Sequence, residues 1–320
     1  ADYNLIQDNY VNVSASDGIG IYLRASTNNI FINNTAITNS GVGVFLYNSC
    51  DDNLFINNSI TSDSYYSTYI RSSDNNTFRN HESKGDSAGS NAIVFYASNN
   101  NEFRNCINIS GATRDIYYSV TTSLNNTFIN CSFDDETLGA GDELIRKWYY
   151  MAYVNDSSGT AVGGADVVGY NASNALEFNI TTNSSGWTNR TEIIDYVSIG
   201  GTKTYYSLYS LNASNVSLSN NHSYNVTTEL NNLSDRFTLE IAVPDTTAPN
   251  ITIEYPTNNT NTSDSGIDVN YSTSDETALD SCWYSNDTML KNTTLTNCST
   301  NITSVVWVDG QHNVTVWVND

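Results

Sequence analysis

A five-residue segment with an apolar residue at its centre and asparagines at its ends recurs from the start of the sequence as far as Asn130. The repeated unit is Asn-x-Phe-x-Asn, and successive copies lie about 24 residues apart. Its central residues are Ile6 in a degenerate first copy, then Phe31, Phe55, Phe78, Phe103 and Phe128. A second aromatic column precedes the later copies at Tyr22, Phe45, Tyr69, Phe95 and Tyr118. Such a period in strand-forming residues, without a helical segment, predicts a stacked solenoid of about six coils.

The stacking of coils assigns an environment to each column of the repeat. Equivalent residues of neighbouring coils lie about 4.8 Å apart, so we expect the phenylalanine column to fill the interior. We expect the asparagine columns to form amide ladders at the turns, because asparagine tolerates a positive φ. Alternation from Phe31 places Asn33 on the interior side, and we therefore expect Asn33, Asn57 and Asn130 to be poorly glycosylated.

The five cysteines fit an oxidising compartment. Cys282 and Cys298, which lie close together near the end of the sequence, are predicted to form a disulfide. Cys106 and Cys131 share one column of neighbouring coils, which allows either a disulfide or two reduced thiols in a ladder. The same column holds Asn9, Asn34, Asn58 and His81 in the earlier coils. Cys50 aligns with Ser26, Ser73, Ser98 and Ser123, which predicts an unpaired, space-filling thiol.

The repeats resemble a known family. The pattern Asn-Asn-x-Phe-x-Asn-Asn-x-Ile, together with the segments Gly18–Leu23 and Gly41–Leu46, resembles the NosD-type right-handed parallel β-helix repeat. The resemblance covers the region 1–133 and implies a fold, not a function. The polar stretch 134–147 lacks the repeat and is interpreted as the end cap and linker of this domain.

The rest of the chain is predicted to form two β-sandwich domains. Trp148–Gly159, Ala161–Val167 and Thr181–Trp187 resemble the carboxypeptidase-regulatory-like sandwich, which implies a spacer without catalysis. A linker at Pro244–Pro249 leads to motifs that resemble archaeal Ig-like surface modules: Tyr255–Asn258, Cys282–Ser285 and Gly310–Val314. The predicted fold class is therefore all-β, with a parallel β-helix over 1–147, a sandwich over 148–243 and an Ig-like sandwich over 244–320.

Strand alternation gives a direction to the last apolar segment. In Asn313–Val318 it points the valines inward and Trp317 outward. An outward Trp317 would contact a glycan or a neighbouring subunit, or would pack at the edge of the sheet.

The charge balance and the lengths of the apolar runs each argue against one class of partner. The net charge is −22 and only 14% of residues are charged, so the acidity reflects a shortage of Lys and Arg. Nucleic-acid binding through basic patches is therefore not expected. No apolar run approaches the ~20 residues of a membrane helix, so no membrane insertion is predicted within this segment.

Glycosylation sequons are concentrated in the second half of the chain. Of 48 asparagines, 26 begin an Asn-x-Ser/Thr sequon, where random placement among 76 Ser and Thr gives about 11. Compositional bias is the alternative explanation for the excess. The sequons predict N-glycans and an extracellular location. The 19 sites predicted to be glycosylated are Asn155, Asn171, Asn179, Asn183, Asn189, Asn212, Asn215, Asn221, Asn225, Asn232, Asn250, Asn258, Asn261, Asn270, Asn286, Asn292, Asn297, Asn301 and Asn313.

No catalytic or metal-binding constellation is predicted. An enzyme of the polysaccharide-degrading kind would need clustered carboxylates, and the candidates are Asp51, Asp52 and Asp74 with Arg71, Arg79 and Arg104. Arg79 and Arg104 share an outward column, and the aspartates occupy turn positions. Copper binding, which the NosD resemblance suggests, needs convergent ligands, but His81, His222 and His312 fall in three different domains. No cofactor is expected beyond covalent glycans, and a structural calcium ion has no assigned position.

These observations favour an extracellular structural glycoprotein of an archaeal-type surface. The first coil lacks a cap and the Ig-like segment stops at Asp320 without a last strand, so head-to-tail self-association into a filament, sheath or S-layer is the predicted role. A fragment of a longer surface protein explains the same features. The alternatives are an adhesin or carbohydrate-binding protein, which predicts an outward tyrosine column, and a polysaccharide-degrading enzyme, which is least favoured.

Overall fold

The computed structural model describes residues 2–241, 247–275, 279–287, 292–303 and 305–319. They belong to two compact units, Ala1–Ala242 and Val243–Asp320. Part of the predicted linker Pro244–Pro249 and the predicted chain end at Asp320 lie outside the described residues.

The first unit begins with 17 short strands in the described chain. They are β1 (Leu5–Gln7), β2 (Tyr10–Val13), β3 (Ile21–Arg24), β4 (Ile30–Ile32), β5 (Thr35–Thr38), β6 (Val44–Tyr47), β7 (Leu54–Ile56), β8 (Ser59–Ser62), β9 (Tyr66–Arg71), β10 (Thr77–Arg79), β11 (Glu82–Gly85), β12 (Asn91–Tyr96), β13 (Glu102–Arg104), β14 (Asn108–Gly111), β15 (Arg114–Tyr118), β16 (Asn126–Ile129) and β17 (Glu136–Thr137).

From β1 to β16 every third strand pairs in parallel, and β17 pairs in parallel with β15, so the chain winds as a solenoid with three sheets. Sheet 1 contains β1, β4, β7, β10, β13 and β16. Sheet 2 contains β2, β5, β8, β11 and β14, and sheet 3 contains β3, β6, β9, β12, β15 and β17. The prediction of an all-β chain with a solenoid of about six coils is confirmed.

The phenylalanine column fills the interior, as predicted. Phe31, Phe55, Phe78, Phe103 and Phe128 are buried and aligned in neighbouring strands of sheet 1. Successive rings stack with centroids 4.3 to 5.0 Å apart. Offset stacking adds about 0.5–1.5 kcal/mol per pair to the burial of each ring. The column therefore stabilises the coil spacing as well as the core.

A buried asparagine ladder runs beside the phenylalanines. In Asn29, Asn53, Asn76 and Asn101 the side-chain Oδ1 accepts from the main-chain N–H and the Nδ2 of the equivalent residue one coil earlier. The ladder thereby satisfies turn groups that would otherwise be buried without partners. The predicted amide ladders are confirmed, and so are positive φ values at many turn asparagines.

The predicted interior position of Asn33, Asn57 and Asn130 is wrong. Each has a positive φ, which ends the strand alternation and turns the side chain toward solvent, while the following residue points inward. Asn33 and Asn57 are exposed, Asn130 is partly exposed, and their amides join a ladder on the outer surface. The reason given for poor glycosylation therefore does not hold.

Two disulfides are present: the predicted pair Cys282–Cys298, and the pair Cys106–Cys131, for which the sequence had left a disulfide and two reduced thiols as alternatives. Cys106 and Cys131 join two neighbouring coils with their Cα atoms 4.8 Å apart. The Cα atoms of Cys282 and Cys298 lie 5.4 Å apart. Cys50 is a free, buried thiol in the serine column, where its main-chain N–H donates to Ser73 Oγ.

The first unit continues without a break into a second group of strands. These elements are β18 (Glu143–Asp156), β19 (Asp166–Tyr170), β20 (Leu176–Thr181), β21 (Thr191–Ile199), β22 (Thr202–Tyr205), β23 (Tyr209–Asn215), β24 (Leu218–Tyr224), α1 (Val226–Glu229) and β25 (Asn232–Ile241). The long strand β18 pairs in parallel with β16 of the solenoid, antiparallel with β21 and in parallel with β25. The boundary expected after residue 147 therefore falls inside one continuous strand.

The second unit contains two small antiparallel sheets in its described part. Its strands are β26 (Asn250–Tyr255), β27 (Asn270–Ser274), β28 (Ser281–Asn286), β29 (Thr293–Thr294) and β30 (Val314–Asn319). Val314 and Val316 pack toward its core, as expected, and Trp317 lies beside Trp283 in the neighbouring strand, with ring centroids 6.4 Å apart. The Ig-like assignment stays a prediction.

Candidate functional site

The outer surface of sheet 3 carries a concentration of aromatic and arginine side chains. We define the aromatic face as two outward columns, with the residues Tyr65, Tyr66 and Arg114 beside them. The first column is Tyr22, Phe45, Tyr69, Val94 and Tyr117, and the second is Arg24, Tyr47, Arg71 and Tyr96.

Strand alternation fixes which residues point outward. In the first four strands of sheet 3, Leu23, Leu46, Ile70 and Phe95 are buried in the solenoid core. Their neighbours in each strand must therefore point away from that core. The aromatic column expected from the sequence mixed the two sides, because Tyr69 pairs with Val94 whereas Phe95 pairs with Ile70. Phe95 and Tyr118 face the interior, and only Tyr22, Phe45 and Tyr69 of that set face outward.

The first column forms a partial ring stack along the solenoid. Phe45 and Tyr69 are parallel, with centroids 4.8 Å apart, and Tyr22 tilts against Phe45 at 5.5 Å. Such stacking hides the ring faces of Phe45 and Tyr69 from solvent and leaves their edges exposed. Open aromatic surface is found instead at Tyr22, which is 49% exposed, and at Tyr65, which is 41% exposed and stacks on Tyr66.

The second column alternates guanidinium groups and phenol rings, one per coil. Arg24 Cζ lies 5.7 Å from the Tyr47 ring centroid, and Arg71 Cζ lies 5.3 Å from the same centroid. Arg71 Cζ also lies 4.7 Å from the centroid of Tyr96. All three distances fall within the ~6 Å range of cation–π attraction. Farther along the sheet, Arg114 covers the Tyr117 ring at 4.6 Å.

Two phenols of the face have raised pKa values, and its arginines have no carboxylate partner among the described residues. Burial raises the pKa of Tyr66, as does the neighbouring Tyr65 phenol. Burial also raises the pKa of Tyr69, against the opposing effect of the Arg71 guanidinium. Within the described residues, Arg24, Arg71 and Arg114 form no salt bridge. At neutral pH the face therefore presents hydroxyl groups, aromatic carbon and positive charge.

The enzyme candidates from the sequence do not converge on this face. Arg79 and Arg104 pair in register on the outside of sheet 1, as predicted, and Arg104 is bound by Glu102 and Glu192. Asp51 and Asp74 accept main-chain N–H bonds in the turns, from Asp74 at 2.7 Å and from Asn99 at 2.6 Å. Of the six residues considered, only Arg71 belongs to the aromatic face.

Each of the three histidines has its own local surroundings. His81 is buried inside the solenoid, His222 lies beside Asp235, and His312 lies beside Asp287 in the second unit. Within the part of the chain that the structure describes, no group of three or more His, Cys, Asp or Glu side chains could hold a metal ion.

Most residues of the aromatic face were not predicted from the sequence. Arg24, Tyr47, Arg71 and Tyr96 recur once per coil, at the period of the repeat. Because the column alternates between two residue types, it was not recognised as one. A search for any large polar or aromatic residue that recurs once per coil would identify this column.

The family comparison agrees with the coil arrangement. A family model for the right-handed β-helix region matches residues 1–82 and 20–161. Together the two matches extend over residues 1–161, which is half of the 320-residue chain. The chain belongs to the right-handed β-helix family. No curated protein matches it.

Membership of the β-helix family establishes the fold and leaves the activity open. The family includes polysaccharide-degrading enzymes as well as proteins that are not enzymes, and it is frequent among surface proteins. Both disulfides are compatible with an extracellular location. No helix in the described ranges has the length and apolar character needed to cross a membrane.

The predicted glycosylation sites are accessible. None of the 19 asparagines is buried, and 12 of them are exposed. The buried ladder asparagines of the solenoid, such as Asn53 and Asn76, do not themselves begin a sequon.

Proposed function

We propose that this β-helix protein is an extracellular, N-glycosylated surface protein that binds a polysaccharide along the aromatic face. The observation that carries the proposal is the outward stack of rings on sheet 3 together with guanidinium groups that have no carboxylate partner among the described residues. On the outer surface of sheet 1, Arg104 instead forms salt bridges with two glutamates.

The chemistry of the face suits a sugar polymer. Sugar rings present C–H groups on one side and hydroxyls around the edge. Exposed tyrosine rings offer apolar surface to the C–H groups of a sugar, and phenol and guanidinium groups form hydrogen bonds with its hydroxyls. The face repeats once per coil over five strands, which gives a length of roughly 19 Å. A long, shallow surface of this kind favours an extended chain over a small enclosed ligand.

The accessible sequons support the surface location. Sugars attached at exposed asparagines would increase the solubility of a chain that has few charged residues. The five strands that carry the aromatic face, β3, β6, β9, β12 and β15, contain no sequon asparagine, so glycans would not be attached to the strands of the proposed binding surface.

Self-association into a filament, sheath or S-layer remains a separate prediction. Polysaccharide binding does not require self-association. A filament of this protein that leaves the aromatic face exposed would be compatible with both roles. We keep the filament as the alternative role.

The double variant Tyr22→Ala/Tyr65→Ala tests the proposal. It removes the two most exposed rings of the face, and we expect polysaccharide affinity to fall about tenfold, from losses of about 0.5–1.5 kcal/mol at each ring. Affinity electrophoresis in gels cast with neutral and acidic polysaccharides measures the change.

The matched control is Tyr10→Ala. Tyr10 is 67% exposed but belongs to sheet 2, so its removal should leave the affinity unchanged. If no polysaccharide retards the wild-type protein, or if Tyr10→Ala weakens binding as much as the double variant, the aromatic face is not the binding surface.

A further inference from the structure

We propose that a cavity in the second unit binds neutral sugar, and that its occupant is the sugar attached to the chain's own Asn258 and Asn261. This inference rests on the N-glycosylation named in the proposed function and does not depend on the aromatic face of sheet 3. It assigns to the attached sugar a role as a ligand that links two segments of the second unit.

The cavity lies between two segments of the second unit. It has a volume of about 810 Å³ and is lined mainly by residues 256–265 and 307–314. This volume falls within the ~300–1,000 Å³ range of small-molecule sites. The cavity is therefore large enough to hold a sugar ring together with part of the next one.

Trp307 joins the two segments and supplies an aromatic wall. Its main-chain N–H donates to Ser265 O at 2.8 Å, and its indole Nε1 donates to Ile267 O at 3.0 Å. On the other side, the indole ring lies 5.1 Å from the ring of His312, centroid to centroid. These contacts hold the indole in place, so a ligand would not have to order it on binding.

The composition of the lining favours a neutral, hydroxyl-rich ligand. Positions 257–263 are all Thr, Asn or Ser, and all are exposed, so they offer donors and acceptors to sugar hydroxyls. Trp307 and Val308, which is 74% exposed, offer apolar surface to the C–H groups of a sugar. Among the described residues that line the cavity there is no Lys or Arg, whereas Asp264 and Asp309 are present. An anionic ligand is therefore disfavoured.

The sequons place such a ligand at the cavity itself. Asn258 and Asn261 both line the cavity, both are exposed and both begin a sequon. A sugar attached to either one starts at the cavity wall, and a short tether of this kind gives an effective concentration of about the millimolar order. Asn313 is a third sequon in the lining, but it belongs to the same segment as Trp307. The sugars of Asn258 and Asn261 are the ones that would link the two segments.

The double variant Asn258→Gln/Asn261→Gln tests the inference. The full chain is produced in a host that glycosylates sequons, and hydroxyl-radical footprinting compares the variant with the wild type. We expect the reactivity of Trp307 and Val308 to rise at least about twofold, since a tethered sugar at millimolar effective concentration would cover a weak site for much of the time. Trp283 and Trp317, which do not line the cavity, should keep their reactivity.

The matched control is Asn250→Gln/Asn292→Gln. These two asparagines are exposed sequon positions of the same unit that do not line the cavity, so their replacement should leave Trp307 unchanged. Neither Asn258 nor Asn261 has a positive φ, so glutamine fits the backbone at both positions. Circular dichroism of each variant checks that the fold is retained.

Each result separates the inference from the proposed glycosylation. If glycopeptide mapping finds sugar at other sequons but none at Asn258 and Asn261, the inference is overturned and glycosylation stands; sugar at no sequon overturns both. If both positions carry sugar and the double variant leaves Trp307 unchanged, or the control variant exposes it equally, the attached sugar does not occupy the cavity. Protection of an already reactive wild-type Trp307 by millimolar cellotetraose would assign the cavity to a free sugar and would also overturn the inference.

Discussion

Replacing Asn76 by alanine should lower the free energy of unfolding of the first unit by about 4 kcal/mol, because it leaves several buried polar groups unsatisfied at about 1–3 kcal/mol each. Asn76 is fully buried. Its Oδ1 accepts from both the N–H and the Nδ2 of Asn53, and its own Nδ2 donates to Asp74 O and Asn101 Oδ1. Alanine removes all four of these bonds.

Denaturant unfolding followed by circular dichroism measures the loss. Asn39→Ala is the control, since Asn39 is exposed and outside the buried ladder, and its replacement should cost less than about 0.5 kcal/mol. Asn76→Asp should also be strongly destabilising at pH 7, because an oxygen would replace the donating amide and face two acceptors. If Asn76→Ala costs no more than Asn39→Ala, the ladder does not stabilise the solenoid.

Acidification should destabilise the solenoid through His81, which occupies the asparagine column between Asn58 and Cys106. Ser83 Oγ donates to Ala92 O, so Thr68 Oγ1 must donate to Ser83 and can only accept from His81 Nε2. The proton of the neutral ring is therefore on Nε2. His81 Nδ1 is buried without a partner in the described structure, so a second proton would have no acceptor.

Burial lowers the pKa of His81 to about 3. This folded-state pKa lies below the unfolded value of about 6.5, so on acidification a proton binds His81 in the unfolded chain before it binds in the folded one. The free energy of unfolding is therefore unaffected by His81 above about pH 6.5 and decreases as the pH falls toward the folded-state pKa. Between pH 7 and pH 4 we expect a loss of about 3 kcal/mol from this group.

The variant His81→Asn separates this effect from the titration of carboxylates. It replaces the imidazole by the residue found at Asn34 and Asn58 in the same column. The difference in unfolding free energy between pH 7 and pH 4 should shrink by about 3 kcal/mol relative to the wild type, whatever the variant's absolute stability. An unchanged difference would show that His81 is not the acid-sensitive group.

The solenoid was predictable because the same residue type recurs at the same interior position in successive coils. A phenylalanine that recurs once per coil must stack on its equivalents, and the five rings do so. Cys106 and Cys131 share a column, and stacking alone brings them within disulfide distance.

The directions of individual side chains were harder to predict than the repeat. The register between β9 and β12 pairs Tyr69 with Val94, the residue before Phe95, and a shift of one position moves a side chain to the other side of a sheet. Asn33 was misplaced for a related reason, since its positive φ interrupts the alternation on which the prediction depended. The aromatic face was only partly foreseen, because tertiary register decides which tyrosines reach solvent.

Hydroxyl-radical footprinting with and without the polysaccharide that retards the wild-type protein most strongly in the affinity gels tests the central claim most directly, because it reports side-chain protection in solution. We predict that Tyr22, Tyr47, Tyr65 and Tyr96 become protected when the polymer is bound. Tyr10 and Tyr205, which are exposed outside the aromatic face, should keep their reactivity. Protection confined to residues outside sheet 3, or no change at any tyrosine under saturating polymer, would contradict a polysaccharide-binding role for this face.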